Sequence, residues 1–564
     1  MLEKINRKQP GLVKIIKHAI FPALFYFLAF CLLTYPLILA FFTHFYADKG
    51  DGLQNIWNLW WVDLAVHRPD LHPTIWYTNL LHWPAGVTLF GQTLNPFNGY
   101  LTVFLHKFLS LTATYNTIII FSFVMGGVSM YWFTYTLTKS FWGSLMGGFI
   151  FTFSSYHFMH AQGQLQLASL EWLPLFILCW YWLLTKPHPV IAVGTAIVLW
   201  LVILCDYYYF FYCVLTAGFI FIWYAIINKD AWFSVRKKHF LSLATFAVVA
   251  ILLTEPIAGA LLKSSQMDAL LGVHDPARNS LNLLSLFIPG EYWLFSQWTQ
   301  TFWSKITGIN ENSVYLGIPV FVLLGYVWIK RKTLELPIKQ QIYLWSVIIG
   351  FFFLLALGPA LEIGGSIIWK KAMPYTLMVK AIPFLGLSGV PVRMVVMVVF
   401  GASVLSAIGF GELFRRFSQT KIFTLLLIVL LLFETLQKPQ PATRIVVPGY
   451  ITALAGLPSN GGVLDLVTTG LSLPLYYQTI HGKPITGGYV SRIPTSVYDQ
   501  DGAISELVKD QNYGKLWGTY HIGYIITHGS LQAQAAEPYI TVEPVYDLND
   551  IRIYRIGCEC EGGK

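Results

Sequence analysis

Two acids three residues apart, Asp48 and Asp51, stand in the segment Ala47-Asp48-Lys49-Gly50-Asp51-Gly52, just past the first long apolar run. An amphipathic, Trp-rich stretch, 53–66, follows them. A carboxylate beside a helical shelf at a membrane surface suits proton transfer on a substrate carried in the lipid. The same acid also suits the N-terminus of the helix it precedes, because Asp caps well. A second polar group, His157, His160, Gln162 and Gln164, interrupts apolar sequence further on. An H-x-x-H pair suggests a metal, but zinc needs three or four ligands and no third stands nearby in sequence. Hydrogen bonding to a polar ligand is the alternative, and a plain interfacial loop is another. Glu171, Asp206 and Glu255 fall in or beside apolar runs, where a charge is costly unless it is paired or faces a cavity.

The elements that must position these residues are membrane helices. Of 564 residues, 55% are hydrophobic, 16% aromatic and only 12% charged, against roughly 25% charged in soluble chains. Clear apolar runs of the kind that cross a bilayer lie at about 20–43, 117–137, 141–155, 167–184, 190–205, 207–227, 240–262, 314–329, 342–357, 391–411 and 422–433, the last of them short. A twelfth segment, 95–111, is apolar for too few residues and carries His106 and Lys107. If it does not span, Lys and Arg of the short loops fall on one side of the membrane, so it reads as interfacial or re-entrant. The expectation is a polytopic α-helical membrane protein of about 11 transmembrane helices with interfacial helices in the first outer loop, N-terminus inside, C-terminus outside. That places the acids, the two histidines and the loops 263–313 and 358–390 on the outer face. The net charge of +9 is accounted for by the basic loops, and no nucleic acid is implied. No cleavable signal peptide is evident.

After residue 437 the composition turns polar and rich in Gly, Pro and Ser, with short β-type runs at 462–467, 485–490, 521–527 and 551–556. These predict a small outer α/β domain. The sequential division is a membrane module 1–262 carrying the first outer loop 44–116, a second membrane module 263–437, and the soluble domain 438–564. Trp57, Trp60, Trp61, Trp76 and Trp83 read as an interfacial belt. His481, Lys483, Tyr489 and Arg492 lie in a Gly-rich stretch that either meets a substrate or is a turn. Of the six cysteines, Cys31, Cys179, Cys205 and Cys213 read as small hydrophobes, and Cys558 and Cys560 are too close in sequence for an unstrained bridge.

The runs GDGLQNIWNLWW, HWPAGVTLFGQTLNPFNG and FTFSSYHFMHAQGQLQLASLEWLPL, with ENSVYLG, GVPVR and HGKPITGGYVSR, together resemble a bacterial branch of the GT-C superfamily of integral-membrane glycosyltransferases. Protein O-mannosyltransferases, aminoarabinose transferases and oligosaccharyltransferases belong to that superfamily. The resemblance implies a GT-C-like catalytic module and transfer, with inversion, of a sugar from a polyprenyl-phosphate donor to a cell-envelope acceptor (glycan, lipid or protein) on the outer face of a bacterial cytoplasmic membrane. It makes Asp51 the general base, with Asp48 beside the substrate. Other expected substrate contacts are His157, His160, Gln164 and Glu171. Arg278 and Arg393 are expected to grip the donor phosphate, and Glu311 and Tyr315 to line the same cavity. The family's usual adjacent acidic pair is absent here, which leaves open whether a divalent metal, Mg or Mn, takes part. A flippase for a lipid-linked glycan, or a silent scaffold of GT-C type, are the competing readings.

Overall fold

Long apolar runs free of interior Gly–Pro breaks become helices, and the computed structural model is accordingly mostly helical. It describes residues 11–227, 236–271, 274–306, 308, 311–382, 386, 389–531 and 540–558. Among these residues, seven helices are long and apolar enough to cross a membrane: Val13–Leu33, Leu111–Thr138, Tyr207–Ile227, Lys237–Ser264, Leu336–Ala356, Pro391–Arg415 and Phe417–Thr435. Four other runs that the sequence counted as spans form the shorter helices Phe141–Thr152, Trp172–Thr185, Pro189–Cys205 and Ile318–Lys330. At 1.5 Å per residue these reach about 18–26 Å, less than the roughly 30 Å of a hydrocarbon core. Local signals set where helices stop. Ser154 ends one apolar run by capping a separate short helix, Ser155–His160, and Thr34 and Pro36 end the first helix at Leu33. Segment 95–111 holds a ten-residue helix, Pro96–Leu105, whose N-terminus is capped by the Asn95 side chain.

The chain forms two compact units, and each draws on distant parts of the sequence. The first comprises Met1–Phe41, Asn116–Thr254 and Val273–Gln440. The helix Val395–Arg415 is apolar all round and so lies inside, with 94% of its most apolar window buried. Helix Phe141–Thr152 packs closely against it because small residues face each other. A Cβ on Gly143 would fall 2.6 Å from the Ala407 carbonyl oxygen, and one on Gly147 would fall 2.7 Å from the Ala407 Cβ. This is the small-residue contact that brings membrane helices together.

The second unit comprises Phe42–Tyr115, Glu255–Gly272 and Pro441–Lys564. The first polar loop and the C-terminal region therefore make one body, whereas the sequence divides into 1–262, 263–437 and 438–564. Four strands form a mixed sheet in this unit: β1 (Gly462–Asp465), β2 (Ile522–His528), β3 (Ile540–Leu548) and β4 (Ile551–Cys558), in the order β1-β2-β4-β3. β1 and β2 run parallel, and β4 pairs antiparallel with both neighbours. The run 485–490 is not a strand of this sheet: only Ile485 makes an isolated bridge, to Val463. β3 was not expected, since it carries Glu543, Pro544 and Asp547 on a largely exposed edge. Charges and Pro suit an edge strand, and they hide it from a hydrophobic pattern.

One face of the sheet packs Val463, Tyr524, Ile526 and Ile553 against Trp57, Trp61, Leu81 and Leu475. The other buries Leu464, Ile522, Ile525 and Ile556 under Ile504 and Leu516. Trp57 and Trp61 are thus core residues of this unit, a correction to the interfacial belt. Both are fully buried and stack 5.9 Å apart. Their indole N–H groups donate to Gln478 Oε1 at 2.7 Å and to the Ile75 carbonyl at 2.9 Å, the partners a buried indole requires.

Candidate functional site

Asp48 and Asp51 are three residues apart but do different work. The helix Asp51–His67 begins after Gly50, which has no side chain to cap it. Asp48 supplies the cap from outside: its Oδ1 accepts the Gly50 N–H at 2.9 Å and the Gly52 N–H at 3.0 Å. The glycine at 52 is what allows this. A Cβ there would lie 2.5 Å from the Ala47 Cβ and 3.2 Å from the Asp48 carboxylate. With the cap taken by Asp48, the half-buried Asp51 carboxylate is hydrogen-bonded by the hydroxyl of Tyr489. Burial first, then the Asp51 charge, raises the Tyr489 pKa, so this phenol stays a donor. Tyr115 also lies within electrostatic reach of both acids, and its buried hydroxyl has no hydrogen-bond partner.

A net of buried amides surrounds this corner. Gln54, one turn along from Asp51, donates from Nε2 to Gln92 Oε1 at 2.8 Å, to Ser491 Oγ at 3.2 Å and to the Tyr489 carbonyl at 3.3 Å. Gln92 Oε1 accepts the Ser491 N–H at 3.0 Å, and Gln92 Nε2 donates to Asn58 Oδ1 at 3.3 Å. None of these amides was singled out from the sequence. The available signal was polar residues on the inward face of a Trp-rich helix, where buried polar groups must find partners.

The second cluster lies within the first unit. The Arg393 guanidinium pairs with both Glu311 oxygens, Nη2 at 2.5 Å and Nε at 3.2 Å, and both side chains are about nine-tenths buried. Gln164 Nε2 reaches Glu311 Oε1 at 3.5 Å, while Gln164 Oε1 pairs with His160 Nδ1. The result is a file of groups, Arg393–Glu311–Gln164–His160. Burial alone would raise the Glu311 carboxyl, but the guanidinium holds it down at about 2. Burial pushes His160 down to about 4 despite the pull of Glu311, so the imidazole is neutral near pH 7. Its Nε2 is buried without a partner. The file joins four of the expected contact residues, but it uses Arg393 internally. A phosphate would have to displace Glu311 to reach the two nitrogens that grip anions best.

His157 is fully buried, with Nδ1 at 2.7 Å from the Thr152 carbonyl and Nε2 at 2.9 Å from that of Ala168. Burial pushes it down to about 4, and its ring, stacked on Phe123 at 3.8 Å, ties chain segments together. Glu171 is 2% exposed and neither carboxylate oxygen has a hydrogen-bond partner. Asp206 accepts the Tyr208 and Tyr209 N–H groups, which makes it a helix cap. Arg278 points to solvent, 84% exposed, with Asp275 3.9 Å away. Tyr315 pairs with Glu434, whose Oε2 accepts the Ile318 N–H at 2.9 Å. These two line a cavity with Ser154, Ser155 and Thr435, and Glu311 faces Arg393 rather than that cavity.

The donor set of the described residues does not fit a metal. Among the described residues no three His, Cys, Asp or Glu side chains converge, and Asp48 Oδ1 is already engaged by two backbone N–H groups. Cys560 and the Cys558 side chain lie outside what the structure describes, and Cys31, Cys179, Cys205 and Cys213 are free.

Residues 23–435 match the model of a family described as "Domain of unknown function (DUF6311)". Similar solved structures include the archaeal oligosaccharyltransferase AglB from Archaeoglobus fulgidus in complex with an inhibitory peptide and a dolichol-phosphate. It has a TM-score of 0.43 and 12% identity, over 90% of this chain and 69% of that one. The A. fulgidus oligosaccharyltransferase complex with Zn and sulfate gives 0.42 and 13%, over 90% and 67%. At these TM-scores the likeness says nothing about activity. No curated protein matches the chain.

Proposed function

We propose that this chain, which belongs to the DUF6311 family, is a multi-pass membrane glycosyltransferase that moves a sugar from a polyprenyl-phosphate donor to a cell-envelope acceptor, with Asp51 as general base. The observation that carries this reading is the division of labour between the two acids. Asp48 takes the helix-capping role that would otherwise occupy Asp51, and Asp51 is left half-buried with a phenol for a neighbour.

In the proposed step an acceptor hydroxyl attacks the anomeric carbon. A new glycosidic C–O bond forms as the bond to phosphate breaks, and the polyprenyl phosphate leaves with that electron pair. The hydroxyl proton passes to the Asp51 carboxylate. Attack opposite the leaving group inverts the configuration. An enzyme facing outward has no supply of cytosolic nucleotide sugars, so a lipid carrier is the natural donor. The seven long apolar helices support a membrane location. Of the other expected contacts, Arg278 keeps a proposed role with substrate because its guanidinium has no close partner, and Glu171 keeps one as a buried carboxyl, pushed up to about 8 by burial, with no hydrogen-bond partner.

The test is transfer by the purified wild type and Asp51→Asn, offered a panel of radiolabelled polyprenyl-phosphate sugars with native membrane extract as acceptor, with and without EDTA. Label moved by the wild type alone supports the reading. Equal transfer by Asp51→Asn removes Asp51 as the base. No transfer and no donor binding by the wild type favours a flippase or scaffold.

A further inference from the structure

Within the first unit, the segment between the spanning helices Leu336–Ala356 and Pro391–Arg415 carries a hairpin of two short antiparallel strands, Leu361–Ile363 and Ser366–Trp369. Gly364 and Gly365 form its two-residue turn, both at positive φ (+56° and +82°), as a tight hairpin turn demands. The first strand is tied to the body of the unit. Asn282 Nδ2 donates to Glu362 Oε1 at 3.3 Å, and Asn282 Oδ1 accepts the Gly364 N–H at 3.2 Å. A Cβ on Gly365 would collide with the Lys305 carbonyl oxygen, so the turn is wedged against a second loop. The second strand is left uncovered by the described residues. Ile368 is the extra residue of a β-bulge, with no opposite number in the first strand. Ile367, Ile368 and Trp369 are 50%, 59% and 56% exposed. A strand facing water on one side alternates apolar and polar residues, but this one sets three bulky apolar side chains in a row. Lys370 and Lys371 follow at once, Lys305 stands at the turn and Lys380 in the next short helix, and all four are exposed. Residues 364–382 contain no Asp or Glu. Leu361 follows Ala356, the end of a span, by five residues, so the hairpin begins at most about 18 Å from that helix end. That is the depth of the polar headgroup layer.

We propose that the hairpin 361–371 is an interfacial anchor that binds anionic phospholipid headgroups. Ile367, Ile368 and Trp369 enter the edge of the acyl layer, where Trp is at home. Lys370 and Lys371 lay their stems along apolar surface and carry their ammonium groups up to the phosphates. A lipid interface uses both halves of the patch: the apolar strand supplies insertion and the lysines supply attraction to an anionic surface. Because the hairpin is fixed at its base by Asn282, the anchor sets the height of the whole 357–390 segment on the bilayer. The inference does not depend on sugar transfer.

The experiment places the full-length chain in nanodiscs of phosphatidylcholine alone or mixed with phosphatidylglycerol. It compares wild type, Lys370→Gln with Lys371→Gln, Ile368→Ser with Trp369→Ser, and a control that removes two exposed lysines of the second unit, Lys509→Gln with Lys515→Gln. Hydrogen exchange is followed in peptides covering 361–382, and phosphatidylglycerol retained by the released protein is counted by native mass spectrometry. We expect phosphatidylglycerol to slow exchange at 364–371 severalfold in the wild type and the control, and high salt to remove the effect. The lysine variant loses the response to phosphatidylglycerol, and its retention of that lipid falls by roughly 10–30-fold, the worth of two lysines at an anionic surface. The apolar variant exchanges faster in both bilayers. Equal wild-type exchange with and without phosphatidylglycerol overturns the proposal, as does a full response in the lysine variant. Inorganic phosphate that slows exchange in phosphatidylcholine alone overturns the lipid as occupant in favour of free phosphate. If the apolar variant does not fold, the lysine variant, which changes only exposed charge, still decides.

Discussion

The Asp51 corner and the Arg393 file are both polar clusters in a very apolar protein, but their charges live under opposite conditions. Arg393 and Glu311 are nearly sealed from solvent and neutralise each other through two hydrogen bonds. Asp51 is half-buried, and the phenols of Tyr489 and Tyr115 lie within reach of its charge. A buried ion pair is costly to break and slow to exchange partners. The difference teaches that burial and pairing set what a charge can do: the more conspicuous cluster is consumed within the fold, whereas the proposed base is an acid that is not sealed from solvent.

Four measurements can break or sharpen that contrast. Replacing Asp51 by Asn should cut sugar transfer by about 10²–10⁴-fold, the usual contribution of a general base, without lowering the melting temperature. A drop in stability of the kind expected for Glu311 would erase the distinction. Glu311→Gln should destabilise the protein by about 3–5 kcal/mol, because it leaves the Arg393 charge buried and uncompensated. Glu311→Leu combined with Arg393→Met should recover much of that loss, and chemical unfolding of the three proteins measures it.

The third measurement is pH. His157 and His160 have folded pKa values of about 4, below the ordinary 6.5. The folded state therefore resists protons that the unfolded chain accepts. Stability is complete above pH 6.5 and falls as pH drops towards 4, by about 2 kcal/mol per histidine near pH 5. Glu311 is also depressed, to about 2, so its contribution holds above its ordinary value and is lost only as pH falls through about 2. Melting curves between pH 7.5 and 5 should soften in the wild type and less so in His157→Asn. The smallest effect is expected from Asp48→Ala, about 1 kcal/mol for a lost cap, with transfer reduced far less than by Asp51→Asn.

Much of the Asp51 corner was visible beforehand. A Gly-Asp-Gly run before an amphipathic helix marks a helix start with an acid at it, and that is where the helix begins. Which of the two acids caps was not visible, since it depends on Gly52 leaving room for the Asp48 carboxylate. The Arg393 file was legible only as separate polar residues. Gln164 and Glu311 are 147 positions apart, and Glu311 and Arg393 are 82 apart. Apolar run length also blurred helix ends, because Ser154, Thr34 and Pro36 stop helices at specific residues that a hydropathy average smooths over.

The sequence by itself determined that this is a helical membrane protein, since its apolar runs can satisfy backbone hydrogen bonds in lipid only as helices. It also determined that an acid opens the first polar helix. Tertiary structure alone decided the partners of the charges. Pairing Arg393 with Glu311, or Tyr489 with Asp51, depends on segments brought together by packing, and the strength of each pair depends on burial, which no local pattern records.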